Sequence, residues 1–295
     1  MKILITGANG FLGHYLAGAL LRQGYTVMAT GKGPCRLPFT GQEGFSYTAM
    51  DFTDPEQVEQ VTSSFNPGWL VHAGAVSKPD DCANDKPGAW DTNVQGTINL
   101  LGAAAACRSF FLFMSTDFVF DGERGMYSEE DAMAPVNYYG ETKAAAEAYV
   151  KQYPHAWAIA RTVLVYGKPL TGRGNLLSVV KEKLEKGEPY SVFEDQVRTP
   201  TYIGDLVDGL MAIIAKKATG VWHLSGTDVL TPYEMACRAA GYLGLDTGLI
   251  KKVTAADFQQ PARRPAKTGF TIDKAKRELD YSPRSFEEGL RLTFS

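Results

Sequence analysis

The stretch "ITGANGFLG", residues 5–13, decides the fold. It sets Gly7, Gly10 and Gly13 between a short apolar run, "KILIT" (2–6), and a helical pattern, "FLGHYLAGALLRQG" (11–24). Glycines there permit a tight turn, a close backbone approach to a pyrophosphate, and close packing of helix on strand. The unpaired N–H groups and dipole of the helix start favour an anion. At the first strand-to-helix junction of a βαβ pattern, such a triplet predicts dinucleotide binding. Phe11 and Leu12 belong to the same cofactor-binding turn.

Outward from this turn, apolar runs alternate with helical patterns. "YTVMAT" (25–30), "FSYTAM" (45–50), "WLVHAGA" (69–75), "SFFLFMST" (109–116) and "AWAIARTVLVYG" (156–167) read as strands. Between them lie a helix opened by Asp54, Pro55 and Gln57, a long helix over 87–107, and a helix carrying Tyr139. The alternation predicts an α/β fold, a Rossmann-type doubly wound parallel sheet covered on both faces. After Gly167 it loosens: "KPLTGRGN" (168–175) is a loop, followed by a charged helix to Gly187. "DLVDGLMAIIAKK" (205–217) and "GVWHLSG" (220–226) add a helix and a strand, Thr231, Pro232 and Glu234 start another helix, and the tail from about 250 lacks alternation. The expected division is a dinucleotide-binding domain over 1–167 with a return segment at about 195–226. The smaller substrate-binding lobe takes 168–194 and 227–295.

Composition narrows the function. A net charge of −3 over 295 residues argues against nucleic acid as the main partner. The four cysteines show neither CxxC pairing nor metal-ligand spacing, so no metal is expected and the thiols read as reduced. No apolar run approaches a membrane span, and "MKILITG" enters a strand at once, leaving no room for a signal peptide. A cytoplasmic protein is the expectation.

"VNYYGETKAAAEAYV" (136–150) raises a choice between two tyrosines. A helix turns about 100° per residue, so Tyr139 shares a face with Lys143, four residues on, whereas Tyr138 lies about 140° away. A free phenol ionises near pH 10, and lowering that by about 3 units requires roughly 4 kcal/mol of preferential phenolate stabilisation. A nearby ammonium and an oxidised nicotinamide can supply it. The strand ending in Thr116 finishes where open α/β sheets place reactive groups. At the end of the second strand, "MATGKGPCR", no carboxylate waits for a ribose 2′-hydroxyl; the first acidic residue of the chain is Glu43. Lys32 and Arg36 stand there instead and suit a 2′-phosphate, favouring NADP, with NAD still possible.

The GxxGxxG spacing and the Tyr139-xxx-Lys143 pair resemble the extended short-chain dehydrogenase/reductase superfamily. That resemblance implies a triad of Thr116 (hydroxyl donor), Tyr139 (proton donor) and Lys143 (cation and ribose ligand). It also implies a cofactor set that includes Asp51, Phe52, Ala73, Gly74, Ala75 and Asn93. A dehydratase would carry an acid where Phe118 stands, so ketone reduction remains. "STDFVFDG" (115–122), "YYGETKAAAE" (138–147), "RTVLVYG" (161–167), "GRGN" (172–175), "DQVRTPTYIGDL" (195–206) and "RRPAKT" (263–268) resemble the dTDP-4-dehydrorhamnose reductases. This implies NADP(H)-dependent reduction of a nucleotide-linked 4-keto-6-deoxy sugar. Asp117, Phe118, Asn175, Arg198 and Arg264 would then face the substrate, and the assembly would be a homodimer. In those reductases a tyrosine usually stands at Phe118, a tryptophan at Leu164 and a small residue at Arg198. Two alternatives stay open: a non-catalytic NADP-binding subunit similar to the regulatory subunit of methionine adenosyltransferase, and a sugar-nucleotide epimerase.

Overall fold

A computed structural model describes residues 1–170, 174–257 and 260–295. Part of the "GRGN" stretch, residues 172 and 173, lies outside the described residues. Its eleven described strands are β1 (Lys2–Thr6), β2 (Thr26–Gly31), β3 (Phe45–Ala49), β4 (Trp69–His72), β5 (Phe110–Thr116), β6 (Trp157–Thr162), β7 (Val165–Tyr166), β8 (Tyr190–Phe193), β9 (Thr201–Tyr202), β10 (Gly220–His223) and β11 (Ile250–Val253). The α-helices are α1 (Phe11–Arg22), α2 (Pro55–Phe65), α3 (Pro79–Asn84), α4 (Lys86–Trp90), α5 (Gly96–Ala106), α6 (Tyr138–Val150), α7 (Leu176–Glu185), α8 (Ile203–Lys216), α9 (Pro232–Leu243), α10 (Asp273–Leu279) and α11 (Phe286–Phe294).

Seven strands form one parallel sheet in the order β10-β6-β5-β4-β1-β2-β3. β5 is buried along all seven residues, as a central strand covered on both faces must be. The winding reverses between β1 and β4, and open α/β sheets bind ligands beyond the strand ends at such a point. Two further parallel pairs, β11-β8 and β7-β9, lie outside this sheet. Among the described residues no helix is long and apolar enough to cross a membrane.

Three departures from the periodicity have local causes. The run 156–167 is two strands: β6 ends at Thr162, and Leu164, with a φ of +31°, turns the chain so that β7 pairs β9 outside the main sheet. The helix expected over 87–107 is α4, a π-helical turn at Asp91–Gln95, and α5. The wider turn seats the buried Asn93, whose amide bonds the Val76 backbone. The tail does not stay in the lobe, because Ala275, Leu279 and Tyr281 join the core around the large sheet. Two smaller clusters stand beside that core: Leu177, Met235, Ala239, Phe286 and Leu290 in one, Val180, Leu184, Val192, Ala236 and Ile250 in the other.

Candidate active site

Gly7 has a φ of +67°, and a Cβ there would lie 2.7 Å from the Cα of Gly74. A Cβ on Gly13 would lie 2.5 Å from the Cα of Ala8. The glycines therefore let the ends of β1 and β4 touch and seat α1 on its own turn. The Gly10 N–H donates to the Gly7 carbonyl at 2.9 Å, closing the turn. α1 then begins with no side-chain cap and no acidic residue in its first turn, so its N–H groups remain open to an anion. Beyond it runs a cleft of about 620 Å³. Gly7, Gly10, Phe11, Leu12, Gly13, Lys32, Arg36, Phe52, Ala73, Gly74, Ala75, Tyr139 and Lys143 all line it. Asp51, Asn93 and Thr116 are not among its lining residues.

Two of these three have other duties. Asp51 pairs with Lys32 at 2.8 Å and accepts from Thr53, so the cation read as free for a 2′-phosphate already holds a carboxylate. Burial alone would raise the Asp51 carboxyl, but these bonds outweigh it and hold it below its usual value. Asn93 spends its amide on the loop over the cleft, accepting from the Val76 N–H at 2.8 Å and donating to the Val76 carbonyl at 3.0 Å. It also donates to Thr142 on α6. Asn93 thus shapes the cleft through that loop.

Three residues escaped the sequence reading. The buried Asn9 donates to the Pro34 carbonyl and to the Tyr47 hydroxyl and accepts from the Arg36 N–H, pinning the loop after β2. Tyr47 bonds the Gly31 and Gly33 carbonyls of the same loop. His72, buried at the end of β4, bridges Thr6 and Thr97, and burial holds its imidazole well below its ordinary value. The only local signal was the side-chain types; the partners lie 14 to 66 residues away in sequence.

The two tyrosines part as the helix geometry requires. Asn137 caps α6 by accepting from the Gly140 N–H at 2.9 Å. Tyr139 and Lys143 face the cleft, whereas Tyr138 carries Lys86 over its ring at 5.1 Å. Burial pushes the Tyr139 phenol up, with the Thr116 hydroxyl alongside opposing it. Lys143 is 3% exposed, its Nζ 3.9 Å from the centroid of Phe113, and burial lowers its pKa to about 7 against the opposing pull of Glu147. Glu147 is itself taken by Arg161, which donates from Nε at 2.9 Å and from Nη2 at 2.7 Å in a fully buried fork. The ring of Phe118 packs edge-on against Tyr139, with centroids 5.9 Å apart.

Gly140 is a further requirement. A Cβ there would lie 2.1 Å from the Phe118 carbonyl oxygen, so the tyrosine helix rests directly on the turn after β5. Gly140→Ala is expected to lower stability by about 1–3 kcal/mol, the usual cost of overpacking, while displacing Tyr139 from Thr116. Urea unfolding checks the first part; a midpoint equal to wild type would mean the backbone yields freely.

The substrate-facing expectations need correction. Asn175 caps α7, accepting from Leu177 and Ser178 and donating to the Gly167 carbonyl at 2.6 Å. Its carbonyl oxygen serves the helix start, and one amide N–H holds the Gly167 carbonyl. Arg198 is a buried crosslink: Nη1 donates to Val197 and Ala266, and Nη2 to Gln196 and Pro265. Arg264 grips Asp80 of α3 with both arms, at 2.5 and 2.6 Å. Residues 262–268 thus form a strap joined to α3 at one end. It is fastened further along by the Val197 N–H to Ala266 and the Lys267 N–H to Gly122. Asp117 lies beneath it, accepting from Thr116 and Thr268.

The dTDP-4-dehydrorhamnose reductase of Aggregatibacter actinomycetemcomitans is 27% identical over 303 residues, covering 98% of this chain and 97% of that protein. Methionine adenosyltransferase 2 subunit beta of Pongo abelii is 28% identical over 259 residues, 86% of this chain and 75% of that one. A solved dTDP-4-dehydrorhamnose reductase from Bacillus anthracis, in complex with NADP, superposes with a TM-score of 0.85 at 28% identity, covering 99% of this chain and 98% of that one. The RmlD substrate binding domain family matches residues 1–295, the full length of the sequence, and the chain belongs to that family.

Proposed function

We propose that this protein is an NADP(H)-dependent reductase of a nucleotide-linked 4-keto-6-deoxy sugar, acting in the cytoplasm. One observation carries the reading: the glycine turn, Tyr139 and Lys143 line a single cleft. The turn fits a dinucleotide, since Gly7 and Gly13 leave a cradle that a Cβ would fill and α1 offers uncapped N–H groups. Arg36 and Lys32 line the cleft at the β2 end, and although Lys32 is paired with Asp51, the two cations together suit a 2′-phosphate. When bound, the reduced nicotinamide supplies a hydride to the ketone carbon. Tyr139 gives its phenolic proton to the developing alkoxide, and Lys143 stabilises the phenolate that remains. Phe118 bears no acid, so the site has no group there to eliminate water from the sugar.

The test is NADPH oxidation with dTDP-4-keto-6-deoxyhexose and a panel of related nucleotide sugars. Turnover with at least one is the expected result. A second reading, a cofactor-binding regulatory subunit, draws support from Arg198 and Arg264, whose forks are engaged inside the protein. Tight NADPH binding with no turnover on any sugar would favour it. The cofactor assignment has its own check. A Lys32→Ala, Arg36→Ala double variant should weaken NADPH by about tenfold or more and NADH far less, since charge-assisted bonds are each worth about 1.5–3 kcal/mol and part of Lys32 is already spent on Asp51. Equal weakening of both cofactors would remove the preference for NADP.

A further inference from the structure

This inference deepens the reductase reading and rests on it for its kinetic arm. Beside Thr116 lies a buried carboxylate, Asp117, 3% exposed, to which the reading gives no task. Both of its oxygens are occupied: Thr116 Oγ1 donates to Oδ1 at 2.9 Å, and Thr268 Oγ1, from the strap, donates to Oδ2. Arg198 Nε lies 3.9 Å from Oδ2, and the remaining guanidinium donors hold the strap through Pro265 and Ala266.

A hydroxyl has one proton to give and two lone pairs with which to accept. The Thr116 proton goes to Asp117, and the Phe118 N–H, at 3.3 Å, takes up one lone pair. What remains is one lone pair, and the Tyr139 phenol lies alongside. That orientation of the Thr116 hydroxyl depends on Asp117 being an acceptor. A neutral carboxylic acid would have to donate to one threonine and reverse it. Burial favours the neutral form, and Arg198 with the two threonine hydroxyls opposes it.

We infer that Asp117 is a positioning residue: anchored by Arg198 and by Thr268 of the strap, it holds the Thr116 hydroxyl in one orientation beside the Tyr139 phenol, whose proton stays available for the alkoxide. Strap docking and the orientation of Thr116 are thereby coupled, although Thr268 is more than a hundred residues from Thr116.

Asp117→Asn presents a single oxygen, so one threonine loses its acceptor. The variant should lower kcat by about tenfold or more and leave the NADPH dissociation constant within about twofold. Thr268→Val should lower kcat in the same way with KM nearly unchanged, and Thr268→Ser should restore it. In a Thr116→Val background, Thr268→Val should cost little more, because the group it positions is gone. Additive losses, or a Thr268→Ser variant no better than valine, would overturn the inference. A crystal structure of Asp117→Asn supplies a readout independent of activity. The Thr116 side chain is expected to leave its wild-type rotamer, and an unmoved Thr116 bonded as before would overturn positioning even if the wild type proved to have no reductase activity. If Asp117→Asn does not fold, a crystal structure of Thr268→Val takes its place, judged by the same rotamer and the same two outcomes.

Discussion

Tyr139→Phe is expected to lose about 10²- to 10⁴-fold in turnover while binding NADPH nearly as well as wild type. That range is what a positioned proton donor contributes to such a step. The substitution removes one oxygen and keeps the ring that packs on Phe118, so the cleft retains its shape. Lys143, the glycine turn and the open end of α1 are untouched, and they carry the contacts expected to bind cofactor. Steady-state rates with the best sugar of the panel, beside a fluorescence titration of NADPH, separate the two effects. Turnover within a few-fold of wild type would show that the proton comes from elsewhere. Loss of binding together with rate would give the phenol a ground-state role instead.

Lys143→Met should move stability and activity in opposite directions. The wild-type ammonium is held 3% exposed with a pKa near 7, against 10.5 for an unperturbed lysine. The folded pKa lies below the unfolded one, so between pH 7 and 10.5 the unfolded chain binds a proton that the folded chain has released. Stability from this group therefore rises with pH through that window and is flat and lowest below it. At about 1.4 kcal/mol per unit the ceiling is about 5 kcal/mol, of which a cleft-side group realises only part. Methionine keeps the length and apolar stem. Removing the charge strands no partner either, because Glu147 has both oxygens on Arg161. The variant should unfold at higher urea than wild type near neutrality, by about 1–3 kcal/mol, with the gap narrowing toward pH 10. It should also lose cofactor affinity and nearly all turnover. A gap that does not change with pH would mean the ammonium is fully solvated in the native state. Destabilisation at every pH would mean that the charge holds α6 in place.

The pattern behind this trade is visible across the site. Tyr139 and Lys143 could be paired from spacing, because i to i+4 on a helix is short-range geometry, and the resemblance added Thr116 at the end of a buried strand. Their electrostatics could not be read that way. Lys143 is depressed by burial, which packs it on Phe113, 30 residues back in the chain, while Glu147, one turn along the helix, is claimed by Arg161 from the following strand. The same divide explains the arginines. Arg198 and Arg264 have the right type and place in the chain for a diphosphate, yet Arg198 is bound to strap carbonyls and Arg264 to Asp80. Asn175 likewise matched a substrate contact and turned out to cap a helix, a role its position immediately before "LLSVVKEKLE" equally allows.

By itself, the sequence determined the parallel α/β sheet, the glycine turn and the choice of Tyr139 over Tyr138. Each follows from residue period and backbone sterics that act within a few positions. Only the tertiary structure decided which polar groups remain free for a ligand. Lys32 met Asp51, Arg264 met Asp80 and Asp117 met Thr268 across separations of 19, 184 and 151 residues. Hydrogen-bonding capacity is finite, and each donor spent on a distant partner is withdrawn from the cleft. No local pattern records where it was spent.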